Sequence, residues 1–224
     1  MPTNIADNLK NIRRRITEAA VRVGRDADEI KLVAVSKMHP AETLRAAIAA
    51  GVTAFGENKV QEGEGKIVEI GREAAEWHLI GHLQSNKARR AVQVFDVIHS
   101  VDSIELAARL ERICINEDRD ELSVFVQVDL AGEETKSGLP ESDLPELVAY
   151  LRSCKCLRFN GLMLLPPFFD DPEATRPYFN RLRALRDEII PGGELSMGMS
   201  HDFEVAIEEG ATIVRVGTAI FGMR

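Results

Sequence analysis

Positive charge is in short supply in this chain of 224 residues: 28 lysines and arginines stand against 36 aspartates and glutamates, a net charge of −8. That balance excludes the broad basic face by which nucleic-acid binders neutralise phosphates. The two local clusters, Arg13-Arg14-Arg15 and Lys87-Ala88-Arg89-Arg90, fit solvated helix faces. Cysteine is scarce too. Cys114, Cys154 and Cys156 are odd in number and without framework spacing, which predicts a reducing, cytoplasmic setting. Cys154-Lys155-Cys156 is also too tight and isolated for a four-ligand zinc site. The N-terminus lacks the apolar core of a signal peptide, and no apolar stretch approaches membrane-spanning length. No linker rich in Pro, Gly or Ser and no repeat divides the chain, so one domain over 1–224 is expected. No Gly-x-Gly-x-x-Gly opens the first helix after a strand, which argues against a dinucleotide site.

What is present is a regular alternation. Residues 3–23 form an amphipathic helix, with Thr3 or Asn4 as its cap and Gly24 after its end. Strands are then predicted at 32–35, 52–55, 77–80, 97–100, 123–130, 159–165, 195–199 and 213–216, with helical patterns between them. Eight such units imply parallel strands joined by right-handed crossovers. A closed (β/α)8 TIM-type barrel with an extra N-terminal helix is the expected α/β fold, and an open doubly wound sheet is its competitor.

In a barrel the C-terminal strand tips meet at one face. There the chain supplies Lys37, Asn58, His82 with Gln84, Asp129, Ser200 and Arg215-Val216-Gly217-Thr218. Lys37 follows a strand buried on both faces, so its amine either snorkels to water or is used. Arg215 alternates to the side opposite Val214 and Val216, into the barrel. A cation there needs a partner: an interior carboxylate such as Asp129 or Glu57, or a bound group. Gly217, Thr218 and Ser200 follow the last two strands, where barrels commonly hold phosphate. A reactive lysine with a phosphate cradle describes pyridoxal phosphate (PLP) held as a Schiff base, the amine kept neutral by Val35, Met38 and the interior. Arg215 beside the pyridine nitrogen would keep that nitrogen unprotonated and the ring a poor electron sink. A Schiff-base aldolase would use a lysine on a late strand.

AVSKMHP (34–40), FGEN (55–58), WHLIGHLQSNK (77–87), IHSVDS (98–103), GLMLL (161–165) and LSMGMSHDFEVAIEEGATIVRVGTAIFG (195–222) together resemble the pyridoxal phosphate homeostasis proteins. These are single-domain relatives of the N-terminal barrel of alanine racemase. The resemblance implies a (β/α)8 barrel with PLP linked to Lys37, phosphate contacts from Ser200, Gly217 and Thr218, Arg215 near the pyridine nitrogen, and Asn58 on the cofactor side. It also implies a binder or carrier, with apo-enzymes as recipients, rather than a turnover enzyme. A racemase needs two bases. The only tyrosines, Tyr150 and Tyr178, fall on predicted outer helices, and His82 is the remaining candidate. Lys136, in the loop after the fifth strand, is a further candidate amine or anion contact. A weak PLP-dependent racemase is the alternative reading, and a monomer is expected.

Overall fold

The computed structural model describes residues 4–132 and 137–222. Eight strands form its centre: β1 (Lys31–Val35), β2 (Ala54–Glu57), β3 (Glu76–Leu79), β4 (Val97–Val101), β5 (Leu122–Asp129), β6 (Leu157–Leu164), β7 (Glu194–Met199) and β8 (Ile213–Val216). Each is parallel to both neighbours, and β1 pairs with β8 through Ala34 opposite Val216, which closes the ring. Leu139–Pro140 adds a two-residue ladder outside β5. The open-sheet alternative is thereby excluded.

The helices are α1 (Ile5–Arg22), α2 (Ala41–Ala49), α3 (Val60–Ile70), α4 (Ala88–Val94), α5 (Ile104–Asn116), α6 (Leu144–Ser153), α7 (Arg176–Ile189), α8 (Phe203–Glu208) and α9 (Thr218–Phe221). Their starts follow local chemistry: Asn4 accepts from the Asp7 N–H, and Ser103 accepts from the Leu106 N–H. Expected strand 52–55 lies two residues later in the fold, because Val52 is drawn back to the Ala47 carbonyl at the end of α2.

The alternation of each strand sorts two cores. Outward residues such as Ala34, Phe55, Trp77, Ile98, Val124, Val214 and Val216 pack under the helices. Inward residues Val33, Ala54, Val97, Phe125, Met163 and Ile213 make a separate apolar plug within the barrel. Each fully buried aliphatic side chain contributes about 1.5–3 kcal/mol. The plug closes the barrel centre and leaves its C-terminal mouth for polar groups.

The arginine clusters are structural. Arg13 donates to the Gly51 carbonyl, Arg14 pairs with Glu18, and Arg15 grips Glu204 with two nitrogens at 2.6 and 2.8 Å. Arg89 and Arg90 pair with Glu117 and Glu64. Arg13 and Arg14 are exposed, as expected of a solvated face, and Arg13 uses that position to reach the Gly51 carbonyl after α2. Among the described residues, no helix is long and apolar enough to cross a membrane, and no group of His, Cys, Asp or Glu could hold a metal.

Candidate functional site

Lys37 lies two residues beyond β1, in a turn whose shape is set from below. Ser36 is wholly buried, and its hydroxyl donates to Glu57 Oε1 at 2.6 Å. Lys66, on the buried face of α3, donates to the Ser36 carbonyl, Glu57 Oε1 and Glu62 Oε1, each at 2.7 Å. The Met38 N–H donates to Glu62, and Met38 takes φ +63°, in the left-handed region. Burial pushes the Glu57 carboxyl up, against the opposing pull of Lys66 and Ser36. Burial also works on Glu62, but hydrogen bonds from Lys66 and Met38 bring it below its ordinary value. These contacts hold the turn, while Lys37 itself makes no hydrogen bond or ion pair among the described residues.

One expected wall is missing. Met38 is 72% exposed, because the left-handed turn aims its side chain outward, so it does not enclose the Lys37 amine. Lys37 is half-buried.

The last two strands supply the other half. Ser200 Oγ accepts from the Gly217 and Ala219 N–H groups at 3.2 and 3.3 Å. Gly217 lies so close to β1 that a Cβ there would stand 3.1 Å from the Val35 carbonyl oxygen. Pairing of β1 with β8 therefore sets the Lys37 turn beside the Ser200–Gly217 pair. Thr218 is exposed at the start of α9.

Arg215 points inward, as the alternation predicts, and is 2% exposed. Its partners are not the carboxylates expected: Nη1 donates to Ser196 Oγ at 2.6 Å and Nη2 to the Leu164 carbonyl at 2.8 Å. Glu57 is taken by Lys66 and Ser36, and Asp129 accepts the N–H groups of Ala131 and Gly132. Burial lowers Arg215 to about 10, against the attraction of Asp202, so it stays charged at neutral pH. A buried guanidinium held by neutral acceptors keeps its positive charge available to a ligand.

Asn58 follows β2, and its Oδ1 is buried without a hydrogen-bond partner among the described residues. Its carbonyl sits against Gly81, where a Cβ would lie 2.2 Å from that oxygen, so only glycine fits. Asn58, Gly81, His82 and Gln84 line a cleft of about 390 Å³. His82 is half-exposed and lies 3.4 Å from Asp102. Tyr150 and Tyr178 lie on α6 and α7 in the outer layer, as expected. Lys136 lies outside the described residues.

Residues 3–224 match the family described as alanine racemase, N-terminal domain. The chain belongs to that family. It is 41% identical to the pyridoxal phosphate homeostasis protein of Aquifex aeolicus over 99% of both chains. It is 44% identical to that of Pseudomonas aeruginosa over 99% of this chain and 96% of the relative. PipY of Synechococcus elongatus, solved with PLP bound, superposes with a TM-score of 0.86 at 39% identity, over 98% of this chain and 100% of PipY. Alanine racemase of Corynebacterium glutamicum shares the fold, with a TM-score of 0.69 and 18% identity over 98% of this chain and 60% of that one.

Within this alanine racemase N-terminal-domain barrel, sequence reasoning passed over Lys66, Ser196, His78 and His99. Lys66 shares a helix face with Val60, Gly63 and Ile67, a signal visible in the 3.6-residue period. His78 and Ser196 occupy inward positions between outward apolar residues, which two-residue alternation marks, whereas His99 is followed by Ser100 at an irregularity of β4 that breaks the alternation.

Proposed function

We propose that this chain binds PLP, with Lys37 as its reversible covalent tether, and serves the homeostasis and delivery of the cofactor in the cytoplasm. The carrying observation is the hydrogen-bonded seam between β1 and β8, which sets an uncommitted amine next to a cradle of backbone N–H groups.

The residues present fit the group. The Gly217 and Ala219 N–H groups converge on one hydroxyl oxygen, the arrangement a phosphate oxygen also satisfies. In this reading Ser200 turns its hydroxyl to donate to the phosphate, and Thr218 adds a second hydroxyl. Arg215 offers a donor-only, charged group to the pyridine nitrogen. Asn58, with its unmet Oδ1, lines the cofactor side. When bound, PLP supplies an aldehyde that an amine holds reversibly and a ring whose electron demand depends on its nitrogen. Facing a guanidinium, that nitrogen has no proton donor it can strip, so storage is favoured over turnover.

The same reading makes 1–224 one binding domain, acting as a monomer that hands cofactor to apo-enzymes. Two bases on opposite faces of a substrate carbon are what a racemase would require; Tyr150 and Tyr178 pack in the outer layer and His82 lies 3.4 Å from Asp102.

The test is direct. Purified protein mixed with PLP is expected to turn yellow, and after borohydride reduction the added mass should map to the peptide carrying Lys37. Lys37→Ala is expected to lose both signals. A colourless wild type would falsify the reading. Formation of D-alanine from L-alanine by the loaded protein would replace the carrier with the racemase.

A further inference from the structure

A run of polar side chains crosses the barrel interior beside the apolar plug. Arg215 Nη1 donates to Ser196 Oγ at 2.6 Å, and Ser196 Oγ lies 2.8 Å from His99 Nδ1. His99 Nε2 lies 2.8 Å from His78 Nδ1. His78 Nε2 lies 3.1 Å from Glu76 Oε2, off the line of a well-formed hydrogen bond, and Lys31 Nζ reaches the same oxygen at 2.7 Å. Ser196, His99 and His78 are wholly buried. Arg215 sits toward the mouth end of β8, while Glu76 opens β3 at the opposite end, so the run spans the barrel lengthwise.

The two ends fix its direction. Arginine only donates, and an ionised carboxylate only accepts. Two protonation patterns fit the distances. In the first, both imidazoles are neutral with their protons on Nε2. Ser196 then donates to His99 Nδ1, His99 to His78, and His78 points toward Glu76 in the same off-line contact as in the second pattern, so no hydroxyl proton is left without an acceptor. In the second, His78 is an imidazolium, His99 carries its proton on Nδ1, and Ser196 accepts from both sides. The Ser196 proton then has no acceptor among the described residues. A buried unmet hydroxyl is costly, and the first pattern avoids it. Burial, reinforced by His78 and Arg215, also holds His99 well below its ordinary value. Phe125, stacked on His99 at 4.6 Å, fixes the ring plane.

We propose that Ser196, His99 and His78 are positioning residues: a one-way hydrogen-bonded chain that holds Arg215 charged and in a fixed orientation, where it would serve the ring nitrogen of the cofactor. The clause about the cofactor rests on the function proposed above; the direction of the chain does not. The imidazoles present their lone pairs toward the mouth, so aligned dipoles rather than a carboxylate solvate the guanidinium. The full positive charge of Arg215 is then left facing the ligand.

Two measurements test this. Long-range ¹H–¹⁵N spectra of cofactor-free protein labelled on histidine should show His99 as the neutral Nε2–H tautomer throughout about pH 6–8, the range of histidine switching. His99 protonated on Nδ1, or as an imidazolium, overturns the chain. Ser196→Ala should mix the His99 tautomers and speed PLP release roughly tenfold, the scale of one hydrogen bond to a charged group. Ser196→Thr, which keeps the hydroxyl, should restore both. Release from Ser196→Ala at the wild-type rate overturns the positioning role. A wild type that takes up no PLP defeats the cofactor clause alone, since the tautomers are read without cofactor.

Discussion

Lys66 governs the turn around Lys37, so its replacement isolates one part of the site. Lys66→Met leaves Glu57, which is 0% exposed, without its cation. Breaking such a pair from one side costs about 3–5 kcal/mol, so the urea midpoint should fall sharply, and Glu57→Leu in the same chain should recover part of the loss. Ser200→Ala acts at the other half. It strips the acceptor from two N–H groups and should cost about 1 kcal/mol in urea denaturation, while weakening PLP retention more than Thr218→Ala does. Glu76 supplies a pH dependence. His78, and then Lys31, hold its carboxyl down to about 2 from an ordinary value of 4.5. A depressed carboxylate contributes stability that is fully present above its unfolded value and lost as pH falls toward the folded one. Because Glu76 is partly exposed, solvent screening limits the contribution to about 1 kcal/mol. The stability gap between wild type and Glu76→Gln should therefore shrink between about pH 5 and pH 2.

The elements that close the outer layer meet across the chain ends. α1 lies against α8 and α9: Arg15 grips Glu204 and covers the Phe203 ring at 4.6 Å, and the Asn8 amide donates to the Ile220 carbonyl at 2.8 Å. Arg14, one residue earlier, makes only an exposed contact with Glu18 within its own helix. Arg15→Ala should therefore cost about 1–2 kcal/mol, through lost packing and a bidentate pair, and Arg14→Ala no more than about 0.5 kcal/mol. Equal effects in urea denaturation would show that α1 is held by its apolar stripe alone. The three adjacent arginines look alike in sequence. What each one reaches depends on the angle at which α1 crosses its neighbours.

Closure is the property of the whole molecule with the widest consequences. Each strand in the ring has two paired neighbours, so none can leave without opening the barrel. Trp77, the single tryptophan, is wholly buried on β3 and stacked on Phe55 at 5.4 Å. Its fluorescence should therefore report the same urea transition as far-UV circular dichroism. Separated curves would mean that the strands around β3 open independently of the rest.

Local periodicity carried the strand and helix alternation, the inward direction of Arg215, and the position of Lys37 after the first strand, because a backbone repeat of 2 or 3.6 residues is written directly into the order of apolar groups. The eight-unit count carried the barrel. The partners of Arg215 could not be read the same way: Glu57 and Asp129 were reasonable counter-charges by strand position, yet Lys66 and nearby N–H groups had claimed them. Nor could the outward turn of Met38, which hangs on one left-handed residue, or the His78–His99–Ser196 run, drawn from three separate strands. The sequence by itself determined which side chains would be collected at the mouth of the barrel. Only the tertiary structure decided which of them touch, because hydrogen bonds and charge pairs depend on distances of a few tenths of an ångström set by how the strands close into a ring.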